Sequence, residues 1–176
     1  MNLSDNSWNT AMDLENKGNN LNKLGKYEEA IGCYKKALEI NPKSSDAWFF
    51  KGVAYSKLGK LQEAIRCYVK VLDIDPGHAY AWSNGGLALD TLGKTQEAIE
   101  CYEKALEINP RFGEAWLNKG AALANLGKYE EAIECYEQLI ELAPPQSALR
   151  VEQAKQIINR LKKKKNLLSE SAGYLY

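Results

Sequence analysis

Between residues 45 and 78 the apolar positions recur at helical spacing, stop, and then recur again. Trp48, Gly52 and Tyr55 fall four and three residues apart, Leu58-Gly59-Lys60 interrupts, and Ala64, Ile65, Tyr68 and Leu72 resume the period. Two such stretches joined by a glycine turn predict a hairpin of two helices. Gly59 suits the left-handed conformation that ends the first helix, and Pro76, lacking a backbone N–H, stops the second.

The same pattern recurs along the chain. Cys33, Cys67, Cys101 and Cys135 stand 34 residues apart, and so do Gly18, Gly52, Gly86 and Gly120. Further columns are Gly25, Gly59, Gly93, Gly127; Ala30, Ala64, Ala98, Ala132; Tyr34, Tyr68, Tyr102, Tyr136; and Pro42, Pro76, Pro110, Pro144. A fixed period between 20 and 50 residues is the signature of a solenoid of stacked units. The units run over residues 11–44, 45–78, 79–112 and 113–146. A glycine column on one helix and an alanine column on the other let two backbones approach closely, with tryptophan and tyrosine filling the space beside them. The predicted fold is therefore all-α: a solenoid of antiparallel helix hairpins.

A last repeat would expose its apolar face, so a terminal cap is expected. Residues 147–165 supply one: Val151, Ala154, Ile158 and Leu161 form a stripe with Ile157 beside it, while Arg150, Glu152, Lys155, Gln156 and Arg160 point outward. Residues 1–10 are expected to extend or cap the first helix, and residues 166–176 to form a flexible tail.

Trp82, Gly86, Ala98, Tyr102 and Pro110 in the third unit, with Trp116, Gly120, Ala132, Tyr136 and Pro144 in the fourth, resemble the tetratricopeptide repeat. The resemblance covers residues 11–146 and implies that the hairpins wind into a right-handed superhelix. Departures are Lys17, Lys51, Gly85 and Lys119 where the family has leucine, and Leu14 where it has tryptophan.

Composition narrows the chemistry. The chain has 176 residues with 23 basic and 23 acidic side chains, so no overall field draws in nucleic acid or an anionic membrane. Four lysines and one glutamate carry the charge after residue 160, which leaves the body mildly acidic and the tail basic. No apolar run is long enough to span a bilayer and the first ten residues do not read as a signal peptide, so the cytoplasm is the expected location. The cysteines recur because the repeat recurs, and neither a C-x2-C pair nor a Cys/His cluster offers a metal site. His78, the one histidine, reads as a surface residue flanking a helix. No phosphate-binding loop or nucleophile set is visible, so no catalytic residue, cofactor or metal is expected. Lys162 to Lys165 read as a solvated helix end that suits the C-terminal dipole.

The resemblance implies a concave groove lined by the first helix of each hairpin, where a partner peptide binds. It places Asn16, Asn19, Phe49, Phe50, Val53, Tyr80, Asn84, Leu87, Leu117 and Asn118 in that groove. Asn16, Asn84 and Asn118 share a column from which carboxamides can bond a peptide backbone, and Phe50 interrupts it. One subclass of the family clamps the C-terminal carboxylates of heat-shock chaperones. Here Glu15 stands at the first clamp lysine, and Tyr80 with Asn84, or Glu114 with Asn118, at the last lysine and arginine, which argues against a clamp. Glu15, Asp46, Asp90 and Glu114 outnumber Lys23 and Lys57, so an apolar or mildly basic peptide is expected.

The expected function is a non-enzymatic scaffold that binds a partner protein. One alternative is self-association, with Leu167, Leu168, Tyr174, Leu175 and Tyr176 docking in a neighbour's groove. RNA recognition by helical repeats fits poorly, because the period is 34 and the body is acidic.

Overall fold

The computed structural model describes residues 3–173, and all regular structure among them is helical. Four hairpins follow one another: α1 (Leu3–Lys23) with α2 (Tyr27–Ile40), α3 (Ser45–Lys57) with α4 (Leu61–Ile74), α5 (Ala79–Thr91) with α6 (Thr95–Ile108), and α7 (Gly113–Asn125) with α8 (Tyr129–Glu141). A short 3-10 turn at Pro145–Ser147 leads into α9 (Ala148–Gly173).

The turns explain why each hairpin closes where it does. Gly59 has φ +72°, the left-handed region that a side chain disfavours. This lets the Lys60 N–H donate to the Tyr55 carbonyl at 2.9 Å and the Gly59 N–H to the Ser56 carbonyl at 3.0 Å, satisfying the orphan carbonyls of the last turn. Gly25, Gly93 and Gly127 repeat the conformation.

Within a hairpin the contact is built on the absence of a side chain. A Cβ added at Gly86 would lie 2.8 Å from Cε1 of Tyr102 and 3.1 Å from both the Ala98 carbonyl oxygen and Cys101 Cβ. The ring therefore lies directly on the backbone of α5. Tyr34, Tyr68 and Tyr102 are buried, as are Ala30, Ala64, Ala98 and Ala132.

A second column links one hairpin to the next. The indole N–H of Trp48 donates to the Pro42 carbonyl at 2.9 Å, that of Trp82 to Pro76 at 3.0 Å, and that of Trp116 to Pro110 at 2.9 Å. Each tryptophan thus ties its helix to the segment that ends the preceding unit. Ser44 caps α3 by accepting from the Ala47 N–H at 3.1 Å, and His78 Nδ1 caps α5 by accepting from Ala81 at 3.1 Å. The lone histidine is therefore the N-cap of a helix, partly buried, rather than a surface bystander.

α9 packs against the last hairpin along its apolar stripe. Ala154, Ile158 and Leu161 join one core cluster with Ile133, Tyr136 and Leu139. The basic run is not a helix end, however. The helix continues to Gly173, because no proline or glycine intervenes after Lys165 and extending a formed helix needs no new nucleus. Residues 166–173 are accordingly helix rather than flexible tail, and Tyr174, Leu175 and Tyr176 lie outside the described residues. Mid-helix, Lys165 pairs with Glu130 at 2.6 Å and Lys162 with Glu137 at 3.7 Å, while Lys164 lies over the Tyr129 ring at 5.2 Å. The run clamps the rim of α9 onto α8, and the dipole argument no longer applies to it.

First helices of adjacent hairpins touch one another, α1 with α3, α3 with α5, and α5 with α7, while the second helices stand farther apart. The stack therefore curves with the first helices inside.

Candidate functional site

The inner face holds a cleft of about 450 Å³ between α3 and α5. Val53, Ser56 and Lys57 form one wall, Asn84, Leu87 and Thr91 the other, and Tyr68 the floor. The Tyr68 hydroxyl lies 3.2 Å from Ser56 Oγ and is also in contact with Asn84, although burial pushes its pKa up to about 12. It stays a neutral phenol at any physiological pH. Two large apolar side chains of α5 stand open to solvent: Tyr80 is 58% and Leu87 48% exposed.

Phe49 and Phe50 prove to be only half exposed. Phe50 packs on the core cluster of Tyr34, Leu38 and Ala47, and Phe49 on that of Ala64, Tyr68 and Val71. They open a row of rings along the groove's edge: Phe50 to Phe49 at 5.3 Å, Phe49 to His78 at 4.8 Å, His78 to Tyr80 at 6.5 Å, and Tyr80 to Phe112 at 4.7 Å between centroids. Such edge and tilted geometries are those that aromatic pairs favour. Val53 and Leu117 are likewise partly buried against the core. Of the apolar groove residues, Tyr80 and Leu87 are those that offer most free surface.

The amides divide in the same way. Asn16 is exposed and Asn84 and Asn118 are half-buried. Asn19 is already engaged, its Oδ1 accepting from the Tyr34 hydroxyl at 2.7 Å. Asn22 donates to Tyr34 Oη at 3.0 Å and to the Phe50 carbonyl at 3.2 Å, joining the first two hairpins. The equivalent hydroxyl of Tyr102 is buried with no hydrogen-bond partner. This contrast gives a prediction. Tyr34→Phe is expected to lose about 1 to 2 kcal/mol, because Asn19 and Asn22 lose their shared partner. Tyr102→Phe is expected to be neutral or slightly stabilising, because an unpaired buried hydroxyl is removed. Denaturant melts of both variants check it, and equal losses would contradict it.

The groove also has a wall that the repeat did not reveal. Arg150, Gln153, Gln156 and Arg160 of α9 line a cleft of about 430 Å³ with Leu117. Arg150 reaches Glu114 at 3.2 Å. The cap thus neutralises one of the acidic positions counted in the groove and makes that end of the face basic. Arg150, Gln156 and Arg160 lie on the exposed side of α9, opposite its apolar stripe.

Burial pushes the thiols of Cys67, Cys101 and Cys135 up to about 11, which leaves them poor nucleophiles. All four cysteines are free, and no cluster of three potential metal ligands occurs among the described residues. No helix among them is long and apolar enough to cross a membrane.

Stacked hairpins with a cap at one end and an apolar cleft along the inner face define a helical-repeat interaction protein. The chain belongs to the tetratricopeptide repeat family. Matches to that family's repeats cover residues 18–59, 45–78 and 84–147. Its fold is similar to that of the MamA protein, with a TM-score of 0.79 and 25% identity over 94% of this chain and 87% of the other. It is also similar to the first TPR of Spaghetti (RPAP3) bound to HSP90 peptide SRMEEVD, with a TM-score of 0.66 and 31% identity over 68% of this chain and 94% of the other. The Arabidopsis OM64 TPR domain shares the fold at 21% identity, with a TM-score of 0.66 over 68% of this chain and 98% of that one. No curated protein sequence matches the chain.

Proposed function

We propose that the chain is a non-enzymatic scaffold that holds a segment of a partner protein along its inner face, centred on the cleft between α3 and α5. The observation that carries this reading is the exposure of Tyr80 and Leu87 beside an apolar cleft of about 450 Å³. Large apolar groups left open beside a concavity are where binding energy concentrates once a partner excludes water. The segment is apolar at its centre. Asp46 and Asp90 favour a basic flank on the side of the first hairpins, and Arg150 and Arg160 of the cap favour an acidic one at the other end. RPAP3 holds an acidic HSP90 peptide, but Glu15 stands here where the resemblance places the first clamp lysine, so a chaperone carboxylate is not the ligand we propose.

Leu87→Glu tests the reading, because the side chain is half exposed and the substitution leaves the core alone. Wild type and variant serve as paired baits, and the retained protein is then titrated as a peptide. Affinity is expected to fall by about 2 kcal/mol or more, roughly thirtyfold, with the melting temperature unchanged. Equal binding to both would remove the inner face as the site.

A further inference from the structure

The repeat builds one pocket twice on the outer face, and the two copies differ in charge. In the fourth hairpin the pocket holds Lys119, whose Nζ lies 2.9 Å from Glu103 of the preceding unit. In the second hairpin the equivalent pocket, of about 490 Å³, holds Lys51. The residue sixteen positions before it, where Glu103 stands relative to Lys119, is Lys35. Lys51 is only 9% exposed and has no carboxylate within ion-pair distance among the described residues, and its Nζ is folded over the Trp48 ring at 4.2 Å. Burial, with Lys35 nearby, holds its ammonium below the usual lysine range.

The surroundings complete the contrast. Arg66 and Lys70 line the second pocket where Glu134 and Gln138 line the fourth. Lys70 is shared with Asp73 at 3.1 Å, and the pocket's single acid, Glu63, has its counterpart in Glu131. Burial raises the pKa of Cys67, so its thiol brings no negative charge. The remaining walls are apolar, with Val69 49% exposed.

We propose that this outer pocket seats an acidic side chain, flanked by apolar residues, from a partner protein, its carboxylate supplying Lys51 with the counter-ion that Glu103 supplies to Lys119. A buried cation without an anion is an unfavourable arrangement that such a ligand relieves, and Arg66 on the rim adds to the attraction. The pocket shares no lining residue with the cleft between α3 and α5, so the two sites stand or fall separately.

The probe is an end-blocked pentapeptide with one glutamate flanked by leucines, titrated against the full chain while the Trp48 indole N–H resonance is followed. A glutamine version is the control. The glutamate peptide is expected to bind at least about tenfold tighter, the worth of one hydrogen bond between charged groups. Lys51→Met is expected to abolish that preference. So is Lys35→Glu, which installs the internal counter-ion at an exposed position and leaves Lys51 and its packing in place. Lys119→Met is expected to leave it unchanged. Equal binding of the two peptides, no binding at millimolar concentration, or a preference that survives both Lys51→Met and Lys35→Glu overturns the proposal.

Discussion

A Tyr102→Ala chain is expected to be less stable by about 3 to 5 kcal/mol, the range for truncating a buried aromatic side chain. Tyr102 is 0% exposed and belongs to the cluster that also holds Ile99, Leu123 and Ala132, so it joins the third hairpin to the fourth. Its ring rests on Gly86, which has no side chain to fill the gap. For a chain of this size the melting temperature should fall by roughly 10 °C. The companion variant Gly86→Ala introduces a methyl 2.8 Å from the ring, an overpacking expected to be destabilising by about 1 to 3 kcal/mol. In the double variant the methyl enters the space that the ring vacates. The double variant should then lose less than the sum of the two single losses, a coupling that a double-mutant cycle measures. Strict additivity would show that ring and glycine do not act on one another.

Ile158→Asp is expected to release the cap. Ile158 is 7% exposed and packs with Ile133, Tyr136 and Leu139, so losing its side chain contributes about 2 to 5 kcal/mol of destabilisation. Desolvating the new carboxylate adds to that. In a solenoid each unit contacts only its neighbours, so the damage should concentrate in α8 and α9 and fade toward α1. Hydrogen exchange should accelerate first in those two helices. The uncovered face of the fourth hairpin is apolar, so the variant should also self-associate in sedimentation. A variant that sediments like the wild type, with unchanged exchange in α8, would show that α9 is dispensable.

The hairpins were legible because the contacts that form them repeat with the sequence. Gly86 meets Tyr102 sixteen residues on, and Gly52 meets Tyr68 at the same distance, so a column read in one unit holds in the next. The left-handed glycines and the stop after each second helix follow from local backbone chemistry alone. The groove was legible only in outline. Its columns were named from resemblance, but the side chains divide between solvent and core according to what lies opposite. Phe49 and Phe50 turn partly inward, whereas Tyr80 and Leu87 remain open. Asn19 looks like a free reader of a peptide until the Tyr34 hydroxyl is found on it.

The row from Phe50 through His78 and Tyr80 to Phe112 crosses columns, because within a unit the start of the first helix meets the residue that closes the unit, Phe49 with His78 and Tyr80 with Phe112. No single-column reading shows it. The reach of α9 was hidden for a related reason, since that helix lies outside the repeat and carries no periodic counterpart to predict where Arg150 or Lys165 lands.

The sequence by itself determined the period, the hairpin, the turn residues and the cap, because those depend on spacing along the chain and on backbone preference. Only the tertiary structure decided which charges meet. Lys119 and Lys51 occupy the same column, yet one faces Glu103 and the other has Lys35 in the equivalent place, and packing the units against one another made the first an ion pair and the second a buried cation. The physical reason is that an electrostatic partner is set by distance in space, and in a curved stack that distance is fixed by how one unit sits on the next.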